Sequence, residues 1–260
     1  MSTRPTRKTM LYWTHMIGKN MAKKVSSPGA LVCVNIPEVE LSRDPHTRKE
    51  LIHAVKNDRA SRIANEFDRG LQFIKKYPKS VTMYGSARFA STNQHYKDAY
   101  ELAFKISKLG YAVVTGGGSG VMEASNKGAK EAGGHSIGLN IELPHEQVLN
   151  PYVTDSLSFY YFFSRKTTLS FSSEAYIFYP GGFGTLDEFF EIATLVQTRK
   201  IRNVPIILTG VDFWKPLQAF LEDQCLKRHA SVNRRELGLY VLSDNHDEIL
   251  DIITNAPVRD

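Results

Sequence analysis

The chain has 260 residues, of which 42% are hydrophobic, and its 33 lysines and arginines exceed its 27 acidic residues. This size and composition predict one α/β catalytic domain with an additional arm. Six of the cations lie in Met1–Ala30, which contains no acidic residue, and the other 27 balance the acids. That balance excludes a basic nucleic-acid-binding face outside the tail, and we expect no nucleic-acid partner.

The first 78 residues divide into a basic tail with a linker, residues 1–46, and a helical arm, residues 47–78. The tail composition permits an organelle transit peptide, but its lack of a long apolar run favours a loosely ordered extension and no membrane partner. The arm carries an apolar stripe that packs either on its own domain or on a second subunit. The stripe consists of Leu51, Ala54, Val55, Ile63, Phe67, Leu71 and Ile74.

Three segments that pair a strand with a polar or glycine-rich turn follow in chain order. The first runs from Val81–Tyr84 into Gly85–Arg88, where Ser86 offers a hydroxyl and Arg88 a guanidinium. Ligands of open α/β sheets bind at this carboxyl edge of the strands. A lone loop arginine is more often solvated, so a phosphate-binding role for Arg88 is supported only by the presence of the two other loops at the same edge of the sheet.

The second segment combines a strand, Tyr111–Thr115, a turn with four glycines, Gly116–Gly120, and a helix, Val121–Ala132. Its spacing excludes the dinucleotide-binding fingerprint, because Val121 stands where the last glycine is required. It also excludes a Walker P-loop, since no Gly-Lys-Ser/Thr triplet follows. A tight turn explains one or two glycines but not four, which favours a ligand-binding loop.

Between these loops and the third segment, five aromatics in Phe159–Phe163 precede two cations, Arg165 and Lys166. Taken alone, the aromatics indicate core packing and the cations a solvated helix face. This stretch by itself predicts no site.

The third segment reads PGGFGTLDE over Pro180–Glu188, between an apolar strand, Ala175–Tyr179, and a helix expected to begin at Leu186. Its three glycines let the backbone approach a ligand closely. The free N–H groups and the dipole of the first helical turn favour an anion, and we expect a phosphate.

Glu188 permits two interpretations. As a carboxylate it would repel phosphate, but it suits a neighbouring, electron-poor part of the same ligand. Alternatively, Thr185 and Glu188 form a capping box and satisfy each other's backbone donors. The capping box leaves three glycines unexplained, so a functional site is favoured: Gly181, Gly182 and Gly184.

Strands and helices alternate along residues 79–260, which predicts an α/β fold, a Rossmann-like doubly wound parallel sheet with an N-terminal helical arm. Right-handed crossovers then bring the glycine turns to one edge of the sheet. We expect strands near Val81, Tyr111, His135, Tyr152, Ala175 and Val204, and helices over Tyr96–Lys108, Val121–Ala132, Tyr160–Ser172, Leu186–Gln197 and Phe213–Leu226.

Cysteine and histidine spacing offers neither a disulfide framework nor a metal centre. The two cysteines, Cys33 and Cys225, form no C-x-x-C pair. His145 begins an H-E-x-x-H pattern, but Leu149 occupies its closing position. We expect a reducing, cytoplasmic setting, with no metal and no cofactor.

Together, PGGFGTLDE, the earlier GGGSGVMEA and the Arg165-Lys166 pair resemble the LONELY GUY (LOG) family of nucleotide phosphoribohydrolases, often mislabelled lysine decarboxylases. The resemblance extends over about Lys79–Asn255. It implies that Arg165 and Glu188 match the family's catalytic arginine and glutamate. It further implies a phosphate cradle of Gly181, Gly182, Gly184 and Thr185, and a nucleotide pocket with Ser86, Arg88, Gly117, Gly118, Ser119, Gly120, Glu123 and Lys166.

The resemblance implies hydrolysis of the N-glycosidic bond of a nucleoside 5′-monophosphate, of the AMP or cytokinin riboside type, to free base and ribose 5-phosphate. It also implies a homo-oligomer, at least a dimer. The alternative is a non-catalytic nucleotide or molybdenum-cofactor carrier, which shares the cradle but needs neither Glu188 nor Arg165. A pyridoxal phosphate decarboxylase needs a Schiff-base lysine and an acid that pairs with the pyridine nitrogen. The sequence singles out no such lysine, since the one candidate beside the site is Lys166, next to Arg165, and this enzyme class is set aside.

Overall fold

The computed structural model describes the backbone of residues 45–142 and 148–256, and within those ranges the side chains from residue 58 onward. The chain divides into two compact units, Met1–His53 and Ala54–Asp260. The first unit is described only from residue 45, so the predicted basic tail lies outside the described residues. The second unit contains the sheet and the candidate site.

Helices and strands alternate as the sequence predicts, and the order confirms the α/β class. No helix in residues 45–142 or 148–256 combines the length and hydropathy needed to span a bilayer. A π-helical stretch, Leu221–Arg228, extends α6, and a short 3-10 turn, Glu236–Gly238, precedes β7. The bounds in chain order are α1 Pro45–Ile74, β1 Ser80–Tyr84, α2 Gln94–Lys108, β2 Ala112–Thr115, α3 Val121–Glu131, β3 Ser136–Ile141, β4 Asp155–Phe159, α4 Phe162–Ser170, β5 Ala175–Phe178, α5 Phe183–Gln197, β6 Ile206–Leu208, α6 Val211–Phe220, β7 Val241–Leu242 and α7 His246–Thr254.

The seven strands form one parallel sheet in the order β4-β3-β2-β1-β5-β6-β7. In the centre, Val81 of β1 pairs with Val113 of β2 on one side and with Ala175 of β5 on the other. The chain builds outward from β1 to β4, then crosses back and builds the other half from β5. The strand order reverses between the neighbouring strands β1 and β5. The carboxyl ends of these two strands are therefore the topological switch point, where doubly wound sheets bind their ligands.

Helices cover both faces of the sheet, which explains why strands β1, β2 and β5 are buried along their whole length. Along β5, Tyr176 and Phe178 face the core under α1, α4, α5 and α6. Ala175 and Ile177 face the core under α2, α3 and α7. Successive side chains of a strand point to opposite faces, so one continuous apolar run supplies both layers.

Helix α5 begins three residues before its predicted start. Gly182 is its N-cap residue, so the helix begins at Phe183 rather than at Leu186. Glycine is a poor residue in a helix interior, and the sequence pattern therefore assigned the whole glycine run to the turn. The N–H groups of first-turn residues have no intrahelical acceptor in any helix, and glycine is tolerated there.

Strand β4 begins later than predicted. The strand expected near Tyr152 starts at Asp155, because residues before it form a turn in which the Tyr152 N–H donates to Asn150 Oδ1 at 3.1 Å. This side-chain bond to the backbone competes with the strand ladder.

Phe67 and Ile74 of the arm's apolar stripe pack on their own domain, whereas Leu71 is 38% exposed. The rings of Phe67 and Phe163 lie 6.1 Å apart, and a Cβ atom on Gly70 would overlap the Thr168 hydroxyl. Ile74 is buried in the core beneath the sheet. The predicted homo-oligomer stays a prediction, because three stripe positions fall outside the described side chains: Leu51, Ala54 and Val55.

Candidate active site

A cleft of about 880 Å³ opens beside the carboxyl ends of β1 and β5, at the switch point of the sheet. Segments that are far apart in the chain meet there, namely the loops after β1 and β5, the start of α5 and one turn of α4. The predicted site residues that line the cleft are Ser86, Arg88, Arg165, Gly181, Gly182, Gly184, Thr185 and Glu188.

The N-terminus of α5 opens into this cleft without a side-chain cap. The first N–H that finds an intrahelical acceptor is that of Leu186, which donates to Gly182 O at 3.1 Å. The N–H groups of residues 183–185 precede it and point out of the helix end. A helix terminus of this kind attracts an anion through both its donors and its dipole.

Two glycines at this terminus have no structural requirement within the protein. A Cβ atom on Gly182 or Gly184 would meet nothing within 4 Å, and neither residue has a positive φ. Gly181 differs, because a Cβ atom there would overlap the Thr185 side chain. The open space at Gly182 and Gly184 keeps the backbone donors accessible to a bound group.

The capping-box interpretation of Thr185 and Glu188 is wrong. Thr185 is the third residue of α5 rather than its N-cap, and its side chain is buried against Gly181. Glu188 therefore lies in the second turn of the helix, beyond the position from which a capping glutamate reaches back. Its side chain instead lines the cleft.

Glu188 has an unusual acidity for a glutamate. Burial raises its pKa from 4.5 to about 7, and the charges of Asp187 and Glu191 act in the same direction. Arg165 and Lys166 oppose this increase. A carboxyl group that titrates near neutral pH is suited to accept or donate a proton during a reaction.

Arg165 is a buried cation that lines the same cleft. It is only 8% exposed, and its Nε donates to Leu139 O at 2.7 Å. Burial lowers its pKa, whereas Glu188 and Tyr84 raise it. Arginine stays protonated in proteins, so the guanidinium contributes a permanent positive charge. Its Nη2 occupies the space where a side chain at Gly116 would lie.

Backbone bonds through Ser86 join the three loops into one unit. The Ser86 N–H donates to Pro180 O in the loop after β5, and Ser86 O accepts from Val121 N, both at 3.0 Å. Gly120 has a φ of 66°, and a Cβ atom there would overlap Ser86 O. Glycine at this position therefore allows the second loop to approach the first.

Buried asparagines hold the glycine loop after β2 in place, and the sequence did not single them out. Asn150 donates its backbone N–H to Gly117 O and its Nδ2 to Gly118 O, each at 2.9 Å. The same Nδ2 lies 2.9 Å from Asn126 Oδ1, which accepts from the Thr115 hydroxyl at 2.6 Å. The signal available in the sequence was Asn126, a large polar side chain among the small and apolar residues that α3 buries.

Five residues predicted to line the nucleotide pocket are not among the described residues that line this cleft: Gly117, Gly118, Ser119, Gly120 and Glu123. Among the described residues that line the cleft, the glycine loop contributes Gly116 alone. Ser119 Oγ donates to the Ala87 carbonyl at 2.8 Å, and Glu123 Oε1 accepts from Tyr96 OH at 3.0 Å. Ser119 thus supports the first loop, and Glu123 joins α3 to α2.

Lys166 also lies outside the cleft lining. Its Nζ is 2.6 Å from Asp187 Oδ2 and 3.0 Å from Glu191 Oε2, so it joins α4 to α5. The adjacent Arg165 points into the protein, since neighbours on a helix face different directions. Lys166 influences Glu188 through its charge rather than by contact with a ligand.

Aromatic residues at the mouth of the cleft were not predicted as site residues. Phe183 is 94% exposed at the first position of α5, and Phe162 and Phe213 are also exposed. The signal available in the sequence was a phenylalanine, Phe183, inside a glycine motif that we expected to form a turn. The lining residues absent from the predicted set are Tyr84, Gly85, Ala87, Gly116, Met122, Ile141, Phe162, Phe183, Leu186 and Phe213.

A protein-family model described as "possible lysine decarboxylase" matches residues 122–253. A probable cytokinin riboside 5′-monophosphate phosphoribohydrolase of Oryza sativa subsp. japonica is 33% identical over 128 residues, 48% of this chain and 51% of the rice protein. The match thus spans about half the length of that relative. A second rice protein with the same description is 27% identical over 180 residues, 68% of this chain and 83% of its own length.

Among solved structures, the molybdenum cofactor binding protein of the phototrophic bacterium Rippkaea orientalis has a similar fold. The TM-score is 0.52 at 23% identity, over 68% of this chain and 96% of that protein. At this identity the likeness concerns the fold alone. The family match covers half of the chain and includes Arg165, Glu188 and the glycine motif before it. The chain belongs to the LONELY GUY family, whose model carries the lysine decarboxylase description.

Proposed function

We propose that this protein hydrolyses the N-glycosidic bond of a nucleoside 5′-monophosphate to a free base and ribose 5-phosphate. The observation that carries the proposal is the position of Glu188 on the same cleft as the uncapped N-terminus of α5. A carboxylate and an anion-binding helix end then act on two parts of one ligand.

The phosphate binds at the helix end, where the N–H groups of residues 183–185 and the guanidinium of Arg88 are available. From Gly184 to Glu188 the helix rises about 6 Å, roughly the span of a ribose with its 5′-phosphate. A phosphate held at the first turn therefore brings the sugar to the carboxyl group one turn later. Positioning of this kind lowers the barrier by removing freedom before the reaction.

Glu188 acts on the sugar. By analogy with glycoside hydrolysis, the transition state resembles an oxocarbenium ion, with positive charge at the ribose ring. The ionised carboxylate stabilises that charge, and it orients or deprotonates the attacking water. Its pKa of about 7 gives it both the charge and the basicity for these roles near neutral pH.

Arg165 acts through charge and hydrogen bonding, because its guanidinium does not release a proton at physiological pH. Buried against Leu139 and Gly116, it presents a fixed positive charge to the cleft. That charge binds a ribose hydroxyl and offsets the negative charge that develops on the departing base.

The described residues do not fit a pyridoxal phosphate decarboxylase. Such an enzyme needs a lysine in the site to form a Schiff base, and the residues that line the cleft include none. Lys166, the nearest candidate, is held by Asp187 and Glu191. The names of the rice relatives support a nucleotide substrate instead, of the AMP or cytokinin riboside 5′-monophosphate type.

The test is to incubate the protein with AMP, GMP, CMP, UMP and isopentenyladenosine monophosphate and to measure the free base. We expect release from at least one monophosphate, and much slower release from the matching nucleoside, which lacks the group that positions the ribose. Equal rates on nucleotide and nucleoside would contradict the phosphate assignment. Nucleotide binding without base release would support a carrier in place of the enzyme.

A further inference from the structure

Helix α4, which carries Arg165, has no N-terminal cap of its own. Its N-cap residue is Tyr161, whose side chain makes no capping bond, and its first turn contains no acidic residue. The first N–H groups of a helix need acceptors from elsewhere. A negative charge at this end is also favourable because of the helix dipole.

A carboxylate of the arm helix α1 binds at this end instead, to the two N–H groups that lead into the helix and to the hydroxyl of Ser164 in its first turn. Glu66 Oε1 accepts from the Tyr160 N–H at 2.7 Å, and Oε2 accepts from the Tyr161 N–H at 3.2 Å. The Ser164 hydroxyl lies 2.5 Å from the same Oε2. One carboxylate therefore joins the entry and the first turn of α4, 94 residues or more along the chain. Hydrogen bonds to an ionised acceptor are stronger than neutral ones.

The capped turn is the one that carries Arg165. The backbone N–H of Arg165 donates to Tyr161 O at 3.2 Å, and the N–H of Tyr161 in turn donates to Glu66. The side chain is held separately, through Nε and Leu139 O. The position of the guanidinium thus depends on two things: the bond from Nε to Leu139 O, and the position of the helical turn that carries the Arg165 backbone.

Close packing keeps Glu66 in place. One turn further along α1, the backbone at Gly70 lies directly against Thr168 of α4. Beside Glu66, the ring of Phe67 packs against that of Phe163. The half-buried carboxylate consequently sits beside a close contact between two helices, at the edge of an open cavity that it helps to line.

We infer that Glu66 is a positioning residue for Arg165, acting through the first turn of α4 without touching the substrate. This inference rests on the proposed function. Removing the carboxylate lets the turn shift relative to β3, and the guanidinium then no longer meets the transition state at its best geometry. Substrate binding through the helix end of α5 does not depend on this contact.

The test compares Glu66→Gln with Asp68→Asn in the full chain. Both variants remove one negative charge from α1, but the Asp68 side chain is exposed and makes none of the capping bonds. We expect Glu66→Gln to lower kcat about tenfold, the scale of a lost charged cap, with little change in KM or in the affinity for ribose 5-phosphate. Asp68→Asn leaves kcat as in the wild type.

A double mutant distinguishes positioning from general loss of structure. In an Arg165→Ala background, Glu66→Gln is expected to change kcat less than twofold, because there is no longer a guanidinium to position. A full tenfold loss in that background, or wild-type kcat in Glu66→Gln alone, overturns the inference.

If Glu66→Gln does not fold, Ser164→Ala removes one of the three bonds with a smaller perturbation. It is expected to lower kcat by about two- to threefold at unchanged KM, and wild-type kcat in that variant overturns the inference. Absence of base release from the wild-type protein would instead refute the proposed function, so the two failures are separate.

Discussion

The guanidinium of Arg165 lies directly against the backbone of Gly116, where a Cβ atom would overlap Nη2 and come within 2.9 Å of Met122 Sδ. The bond from Nε to Leu139 O holds the arginine on its other side. Gly116 therefore contributes to the cleft by having no side chain, and this relationship can be tested directly.

Gly116→Ala is expected to displace Arg165 and to lower kcat by roughly 10- to 100-fold, since small misplacements of a catalytic group are costly. Overpacking also lowers the free energy of unfolding by about 1–3 kcal/mol. Steady-state kinetics and denaturant unfolding measure both effects. Gly238→Ala is the control, because a Cβ atom there meets nothing within 4 Å. Normal turnover in Gly116→Ala would show that Arg165 tolerates the displacement.

Glu188→Gln keeps the size of the side chain and removes its charge. If the carboxylate faces an oxocarbenium ion, kcat falls by ~100-fold or more. Ribose 5-phosphate still binds, because its phosphate contacts precede Glu188 on the helix. The measurements are kcat and the dissociation constant of ribose 5-phosphate. Near-normal turnover would remove Glu188 from the mechanism and favour the carrier.

The same substitution is expected to stabilise the protein at alkaline pH. The pKa of Glu188 is raised from 4.5 to about 7, so folding favours its protonated form. The wild type therefore loses stability as the pH rises from about 4.5 to about 7, on the order of 3 kcal/mol at most. Glutamine resembles the protonated acid and avoids this loss.

Denaturant unfolding at pH 5 and pH 8 checks this difference. Glu188→Gln is expected to be more stable than the wild type at pH 8, and the advantage to shrink towards pH 5. A variant less stable than the wild type at pH 8 would contradict the assigned desolvation of the carboxyl group.

The pH dependence of the reaction is expected to shift in opposite directions in two variants. Base release requires ionised Glu188, so kcat/KM falls below about pH 7, the pKa of this group. This fall is the acidic limb of the pH profile of kcat/KM. Lys166→Gln removes a charge that lowers the pKa of Glu188, so the acidic limb moves to higher pH. Asp187→Asn removes a charge that raises this pKa, so the acidic limb moves to lower pH. The substrate phosphate titrates identically with every variant. An unmoved limb would assign it to the substrate.

Gly184→Ala separates ligand binding from folding. A Cβ atom at this position meets no protein atom, and alanine has the higher helix propensity, so stability is expected to stay equal or rise by up to ~1 kcal/mol. The new methyl group partly covers the N–H donors of the helix end. Ribose 5-phosphate affinity is therefore expected to fall about tenfold, the scale of a lost charge-assisted hydrogen bond. Unchanged affinity measured by calorimetry would exclude this end of α5 as the phosphate site.

Much of the fold was predictable because its signals are local. The apolar run Ala175–Tyr179 followed by PGGFGTLDE indicates a strand, a turn and a helix wherever it occurs, and alternation of such units requires a parallel sheet. Motif resemblance also brought Arg165 and Glu188 together. The start of α5 was misjudged because local propensity penalises the glycines that the open helix end contains.

The sequence by itself determined most of the elements and which loops carry glycine, since backbone propensity and apolar periodicity act over a few residues, but it did not predict β7 or α7. Only the tertiary structure decided that Arg165 turns inward and Lys166 outward, that Gly116 leaves room for the guanidinium, and that Glu66 caps a distant helix. These relationships depend on the strand order and on how α1 packs against α4. Both follow from burial over the whole chain, which no local pattern records.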